Sequence, residues 1–481
     1  MEKKECPLSL LCTSRRGFMG GAGAGLLGFA ISSSADMLSF AQSPQASAAE
    51  PDLKYPKPKI GIIFSHITPD KPTWPYKGYD YEGRKKQLTA KLKAACPNSD
   101  FVFATVMNAE EAQAAVKKMA DVDGLVSYLV GIWTGASNVI AHSGKPVIMV
   151  DDLYAGSGEF IGTRAQALRE QLPVVAVASS DFRDVVKAIQ IFEAMKRIKA
   201  ARILDVNEDE VKEIEPIKAS TGMDVQRVTF AELNSYYEKA DEKEAALWAD
   251  KWIRGAKKVV EPTREEIIKS GKMHLGISAL MKDRSAEAVT IDCLGGFYSG
   301  KLHAYPCLSF HTLNNNGLVG ACEADLDSTV TMIMLKHLVS RPGMISDPVF
   351  DISKNQIIYA HCVAPNRVFG PKGTANPYIL RSHAEDNKGA VVQSLLPLGQ
   401  VVTTVQTNVM EKAMVVHSGK TVANIDDPKA CRTKLATEVN AQKILDNWRW
   451  GWHRVTFYGD WRKDVKDLAT LMQFKLYEED V

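Results

Sequence analysis

Six side chains in the last third of the chain have types that can do chemistry together. The stretch VGACEADLDSTV places Glu323, Asp325 and Asp327 directly after a short apolar run. Asp347 precedes a proline in GMISDPVF, His361 closes the apolar run IIYAH, and His453 heads WHRVTFYGD. Carboxylate oxygens combined with imidazole nitrogens form a donor set suited to Mn²⁺ or another divalent ion of similar preference. Structural zinc would call for paired cysteines, and the sequence holds no C-x-x-C. Each residue also has a plainer explanation. Asp325 and Asp327 fall in the first turn of an expected helix, where negative charge complements the helix dipole. Glu323 leaves its strand directly and is the stronger candidate. Pro348 forces Asp347 into an extended or turn conformation. A single histidine at the end of an apolar strand is commonly a satisfied core residue, so His361 and His453 gain weight only in company. Trp448, Trp450 and Trp452 flank His453 and read either as core or as a surface on which a sugar ring stacks.

For these residues to meet, strand ends far apart in the chain must converge. Residues 49–58, AEPDLKYPKP, form a proline-broken linker. The apolar runs KIGIIFS, FVFATV, GLVSYLV and PVIMVDD then alternate with helical stretches, which predicts a parallel, doubly wound α/β domain over residues 59–171. The pattern restarts at LPVVAVAS and continues through an amphipathic helix opened by Asp181, then RILDV, MDVQRVTF and AVTIDC. This predicts a second Rossmann-like α/β domain over 172–345. From 346 to 481 the texture changes to short β-rich runs broken by Gly, Pro and Asn, as expected for a β-rich, barrel-like domain. Open parallel sheets collect ligands at the C-terminal ends of their strands and at domain junctions. Glu323 and Asp347 fall at such places.

The chain of 481 residues is 45% hydrophobic and 24% charged with a net charge of +2, the balance of a soluble globular protein with no basic face for nucleic acid. Beyond residue 48 the cysteines are Cys96, Cys293, Cys307, Cys322, Cys362 and Cys431, several in apolar surroundings that suggest buried thiols. At the N-terminus, Gly23, Gly25 and Gly28 have G-x-G-x-x-G spacing, but no strand precedes them, so the phosphate-binding reading fails. Arg15-Arg16 with Phe18 and Met19 instead resembles the twin-arginine export signal, and Ala46-Ser47-Ala48 offers a small-x-small cleavage pattern. Residues 1–48 are therefore expected to direct a folded chain through the twin-arginine machinery to the periplasm or beyond. Export in the folded state suits a protein that carries a bound metal.

The order PCLSFHTLNNNGLVGACEAD, GMISDP, YAHCV, WHRVTFYGD resembles the L-fucose isomerase and L-arabinose isomerase group over roughly residues 290–470. The resemblance implies an aldose–ketose isomerase that moves a proton between C1 and C2 through an ene-diol, with a divalent metal, Mn²⁺ foremost. It implies that Glu323 and Asp347 are metal ligands and the acid/base pair, and that His453 is a ligand. His361 matches a ligand of the arabinose branch. It further implies a monosaccharide or related carbohydrate as substrate and a homo-oligomer, trimer or hexamer. A carbohydrate-binding protein without catalysis, and a metal-dependent epimerase or lyase on a related sugar, stand as the alternatives.

Overall fold

The computed structural model describes residues 51–481. The stretch read as an export signal lies outside the described residues. Residues 51–58 run without helix or strand, and the Tyr55 hydroxyl donates to Glu287. Among the described residues no helix is long and apolar enough to cross a membrane.

Strands β1 (Lys59–Ser65), β2 (Asp100–Val106), β3 (Gly124–Leu129), β4 (Val147–Asp151) and β5 (Val174–Ala178) form a wholly parallel sheet in the order β2-β1-β3-β4-β5. All six side chains of β3 and all five of β4 are buried, which is why their sequences read as continuous apolar runs rather than alternating ones. β5 departs from expectation. It was predicted to open the second α/β domain, yet Val174 to Ala178 pair with Val147 to Asp151 and complete the first sheet. The helix Ser157–Arg169 supplies the crossover between them, as a parallel connection requires. The apolar run reveals a buried strand but carries no mark of which sheet it joins.

The long helix Phe182–Ala200, capped by Asp181, leads to the second sheet. Its strands are β6 (Arg202–Val206), β7 (Asp224–Val228), β8 (Ala288–Ile291) and β9 (Val319–Cys322), again all parallel, in the order β7-β6-β8-β9. β9 is a four-residue edge strand, and two features hold it in place. Gly320 lets the helix Cys307–Asn315 come close: a Cβ at this position would sit 2.7 Å from the Phe310 Cα. The Asn314 carboxamide then clamps the exposed edge, accepting from the Gly320 N–H at 3.0 Å and donating to the Gly320 carbonyl at 2.9 Å. Without that clamp two buried backbone groups would lack partners, at roughly 1–3 kcal/mol each.

The remaining strands are β10 (Met344–Asp351), β11 (Gln356–His361), β12 (Tyr378–Arg381), β13 (Val391–Ser394), β14 (Val401–Asn408), β15 (Ala413–Asn424), β16 (Thr433–Glu438), β17 (Arg454–Tyr458) and β18 (Lys475–Glu478). Six of them close into an antiparallel barrel, β14-β17-β10-β11-β16-β15, through the β14–β15 pairing. β18 adds to β15 in parallel, and β12 pairs with β13 apart from the barrel. The stretch AMVVHSGKTVAN, despite its central glycine, is one long strand whose register shifts between Thr421 and Ala423. Such a bulge bends a strand without ending it. The molecule thus has two parallel-sheet α/β layers followed by a β-barrel.

Candidate metal centre

Glu323 begins where β9 ends. Its backbone is left-handed, with φ of +65°, and Ala324 follows at +49°. Two successive non-glycine residues in that region form a strained turn that the surrounding contacts must impose. The Ala324 N–H donates to the Ile291 carbonyl at the end of β8, tying the turn to the neighbouring strand. The turn projects Glu323 beyond the sheet and delivers Asp325 to the N-cap of the helix Leu326–Val339. There Asp325 accepts from the Ser328 N–H at 2.8 Å.

The barrel supplies the other residues. Asp347 lies inside β10, paired with Ala360, so Pro348 here accompanies an extended strand rather than a turn. His361 is the last residue of β11, and His453 directly precedes β17. The structure brings Glu323, Asp347, His361 and His453 together, with one candidate ligand atom from each lying within 4.8 Å of the others. All four residues proposed as ligands from the sequence therefore converge.

His453 is the hub. Its Nε2 lies 3.2 Å from Glu323 Oε2 and 3.1 Å from Asp347 Oδ1. On the other side of the ring, Nδ1 donates to Asp325 Oδ2 at 2.7 Å. Burial alone would make the imidazolium a stronger acid, but hydrogen bonds to Asp325, Asp347 and Glu323 reverse this and push its pKa up to about 12. The same contact acts on Asp347. Burial would raise its carboxyl, yet His453 and His361 hold it below the usual carboxylate range. Asp325 likewise sits low despite deep burial, through its bonds to His453 and Ser328. Three carboxylates around one imidazole form a concentration of negative charge that a cation would neutralise.

The donor set fits a divalent ion. Among the described residues, His361 Nε2, His453 Nε2 and Asp347 Oδ1 are buried atoms that make no well-aligned hydrogen bond, although the last two form an ion pair at 3.1 Å. Buried polar atoms are almost always paired, so three orphans facing one another mark a place for a ligand. The two histidines are prepared differently. With Nδ1–H held by Asp325, His453 turns Nε2 toward the cluster, the carboxylate–histidine arrangement that orients a metal ligand, and Nε2 ligates once its proton leaves. His361 Nδ1 instead accepts the Cys362 N–H at 2.9 Å, which places the ring proton on Nε2. His361 ligates only if that proton moves to Nδ1 at the cost of this contact. Burial lowers its pKa, which keeps the ring neutral. The Cys431 thiol adds a weak contact to Asp347 Oδ2 at 3.8 Å. All six cysteines of the described residues are free, as their apolar surroundings suggested.

Asp325 does more than the helix-capping role assigned from sequence, because the same carboxylate caps the helix and orients His453. The signal was present in the two-residue spacing from Glu323, but helix-dipole reasoning absorbed it. Asp325→Asn is expected to weaken Mn²⁺ binding by about 10–100-fold, the usual effect of losing an outer-shell carboxylate. The helix cap should survive, since Asn caps a helix as well as Asp, but the metal-free protein should lose some thermal stability because the buried His453 imidazolium loses a carboxylate partner. A variant with unchanged metal affinity by calorimetric titration would show that Asp325 serves the helix alone. Asp327 stays outside the cluster: its carboxylate accepts the Val409 N–H at 2.9 Å and ties the helix to the β14–β15 turn, and burial raises its pKa to about 7. Trp452 is 64% exposed beside the centre, its ring stacked on His453 at 5.6 Å between centroids. Trp448 is committed elsewhere, packing under the Arg454 guanidinium.

No family model matches the chain. It is 25% identical over 167 residues to the sulfoquinovose isomerases of Priestia aryabhattai and Priestia megaterium. The match spans about a third of the length of these curated relatives, 35% of each, and 34% of this chain. The likeness is thus to an isomerase of a sugar, and it is distant.

Proposed function

We propose that this protein is a divalent-metal-dependent sugar isomerase that interconverts an aldose and a ketose through an ene-diol. The observation that carries the reading is the convergence of Glu323, Asp347, His361 and His453, each with one candidate ligand atom within 4.8 Å of the others. The distant likeness to two sulfoquinovose isomerases supports the same reaction class. In this reading the substrate is a monosaccharide or a derivative of one. The resemblance of the N-terminus to a twin-arginine signal supports a place of action outside the cytoplasm.

The division of labour follows from the residues. A bound divalent ion, Mn²⁺ by the donor set, would stabilise negative charge developing on the sugar's O1 and O2. Glu323, Asp347 and His453 would hold it, with His361 joining after a change of tautomer. Transfer of the proton between C1 and C2 falls to Glu323 and Asp347, since Asp325 is committed to His453 Nδ1 and to the helix N-terminus. Glu323 and Asp347 come from separate domains and so can flank a substrate held at the junction. One removes the proton from carbon and returns it to the neighbouring carbon. Trp452 offers the flat apolar surface on which a sugar ring can stack beside His453.

The test is exchange at carbon. The Mn²⁺-loaded protein is incubated in D₂O with a panel of aldoses, sulfoquinovose included, and followed by proton NMR. A ketose product together with solvent deuterium at C2 of the aldose is the expected result. C2 inversion without ketose would transfer the site to an epimerase, and loss of water to a lyase. Tight sugar binding without exchange would leave a binding protein. Each of these outcomes would overturn the isomerase reading.

A further inference from the structure

A second cavity of about 550 Å³ opens away from the metal centre, near the C-terminal end of the helix Cys307–Asn315. Its lining includes Lys251, Lys257 and Arg367 and contains no aspartate or glutamate. Among the described residues neither Lys257 nor Arg367 forms an ion pair, although Arg367 donates to the Gly373 carbonyl at 2.8 Å. The Lys251 ammonium sits 3.9 Å from the centre of the Trp248 ring, which keeps its charge at the cavity wall. A concave surface with charges of one sign and apolar walls focuses their field and draws in the opposite charge.

The rest of the wall is rigid and largely apolar or amide. Trp252 is buried, with its indole N–H donated to Thr312 Oγ1 at 3.1 Å. The Tyr378 hydroxyl donates to the Trp252 carbonyl at 2.8 Å. Asn315 accepts from the N–H groups of both Asn366 and Arg367, and its own amide donates to Asn366 and to His311. His311 donates from Nδ1 to the Ala364 carbonyl at 2.8 Å, and burial holds its pKa down at about 4, so it remains neutral. The cavity's charge therefore belongs to lysine and arginine alone. None of these groups takes part in the metal centre, whose ligands lie at the opposite end of β9.

We propose that this cavity binds a small molecule carrying a tetrahedral oxyanion, a phosphate or a sulfate ester. The guanidinium of Arg367 and the ammonium of Lys257 supply charge-assisted hydrogen bonds to the oxyanion. Trp252 and Tyr378, both buried, back the cavity as a rigid wall. The lining residues Asn366 and Arg367 follow His361 in the chain, so an occupant would rest on the segment that leaves the metal centre. The site stands independently of the isomerase reading.

Calorimetric titration of the full chain with inorganic phosphate, adenosine 5′-monophosphate and adenosine tests it. Binding of the monophosphate but not of adenosine is expected. Lys257→Glu and, separately, Arg367→Gln should each weaken binding by about tenfold or more. The His453→Ala variant should bind the monophosphate as the parent does, which separates this cavity from the metal centre. Phosphate binding as tightly as the monophosphate would mean a free oxyanion is the occupant; weaker phosphate binding would mean an ester is. Lys257 is exposed, so its replacement should leave the fold intact, as circular dichroism would verify. Failure of both anions to bind would overturn the proposal. So would binding that ignores both substitutions, or a Lys257→Glu variant that changes only the oligomeric state.

Discussion

Glu323→Gln is expected to lower kcat by about 10²–10⁴-fold at saturating Mn²⁺, the range general acid–base catalysis contributes. The substitution preserves volume and removes only the negative charge and the basic lone pairs. The turn that presents the residue should survive it. The turn is held by backbone contacts, the Ala324 N–H on the Ile291 carbonyl and Asp325 at the helix N-terminus, none of which uses the Glu323 side chain. The left-handed φ of +65° imposes the same strain on Gln as on Glu. Metal affinity should fall as well, because one of three carboxylates near His453 Nε2 and Nδ1 becomes neutral. Titrating Mn²⁺ to saturation separates the two effects: metal loss is rescued by excess ion, and loss of the base is not. A variant whose kcat recovers fully at high Mn²⁺ would show that Glu323 is a ligand without a role in proton transfer. Sugar KM should move by far less than kcat, since the change bears on the transition state rather than on substrate binding.

How much of this was legible in the sequence differs between the fold and the site. Buried parallel strands announce themselves because both faces are covered, so β1, β3, β4 and β8 appear as unbroken apolar runs. Their partners do not announce themselves. β5 carries the same apolar signature as its neighbours, and only the crossover helix decides that it closes the first sheet instead of opening the second. β18, LYE flanked by charged residues, is half-exposed and short, and its pairing with β15 supplies order that its composition cannot. At the site, residue type and position at strand ends located all four residues that converge. The sequence could not show their relations to one another. That Asp325 reaches across to His453 depends on the strained turn at Glu323 and Ala324, and non-glycine left-handed residues leave no mark in a sequence. The difference between His453 and His361 is likewise a matter of what each Nδ1 meets, a carboxylate in one case and a backbone N–H in the other.

That difference separates the two histidines by experiment. His453→Ala is expected to reduce Mn²⁺ affinity by at least about 100-fold, more than an outer-shell change does, because it removes the imidazole whose Nε2 already faces Glu323 and Asp347. His361→Ala should cost less, since its ring must first change tautomer to ligate. The pH dependence gives the sharper signature. With no metal bound, the surrounding carboxylates hold His453 protonated up to about 12, against an ordinary value of 6.5. A pKa raised on folding stabilises the metal-free fold fully below 6.5, and that contribution is lost only as pH climbs through about 12. A divalent ion must therefore displace one proton from Nε2. Affinity for Mn²⁺ should rise about tenfold per pH unit across the neutral range, with one proton released per ion. In His453→Ala the slope should flatten, because the remaining carboxylates are already ionised there. Adding the metal should raise Tm more at pH 8 than at pH 6 in the parent, through mass action on the folded state. Equal slopes in parent and variant would mean that the proton and the metal do not compete for His453. The centre would then have to be built on the carboxylates and His361 instead.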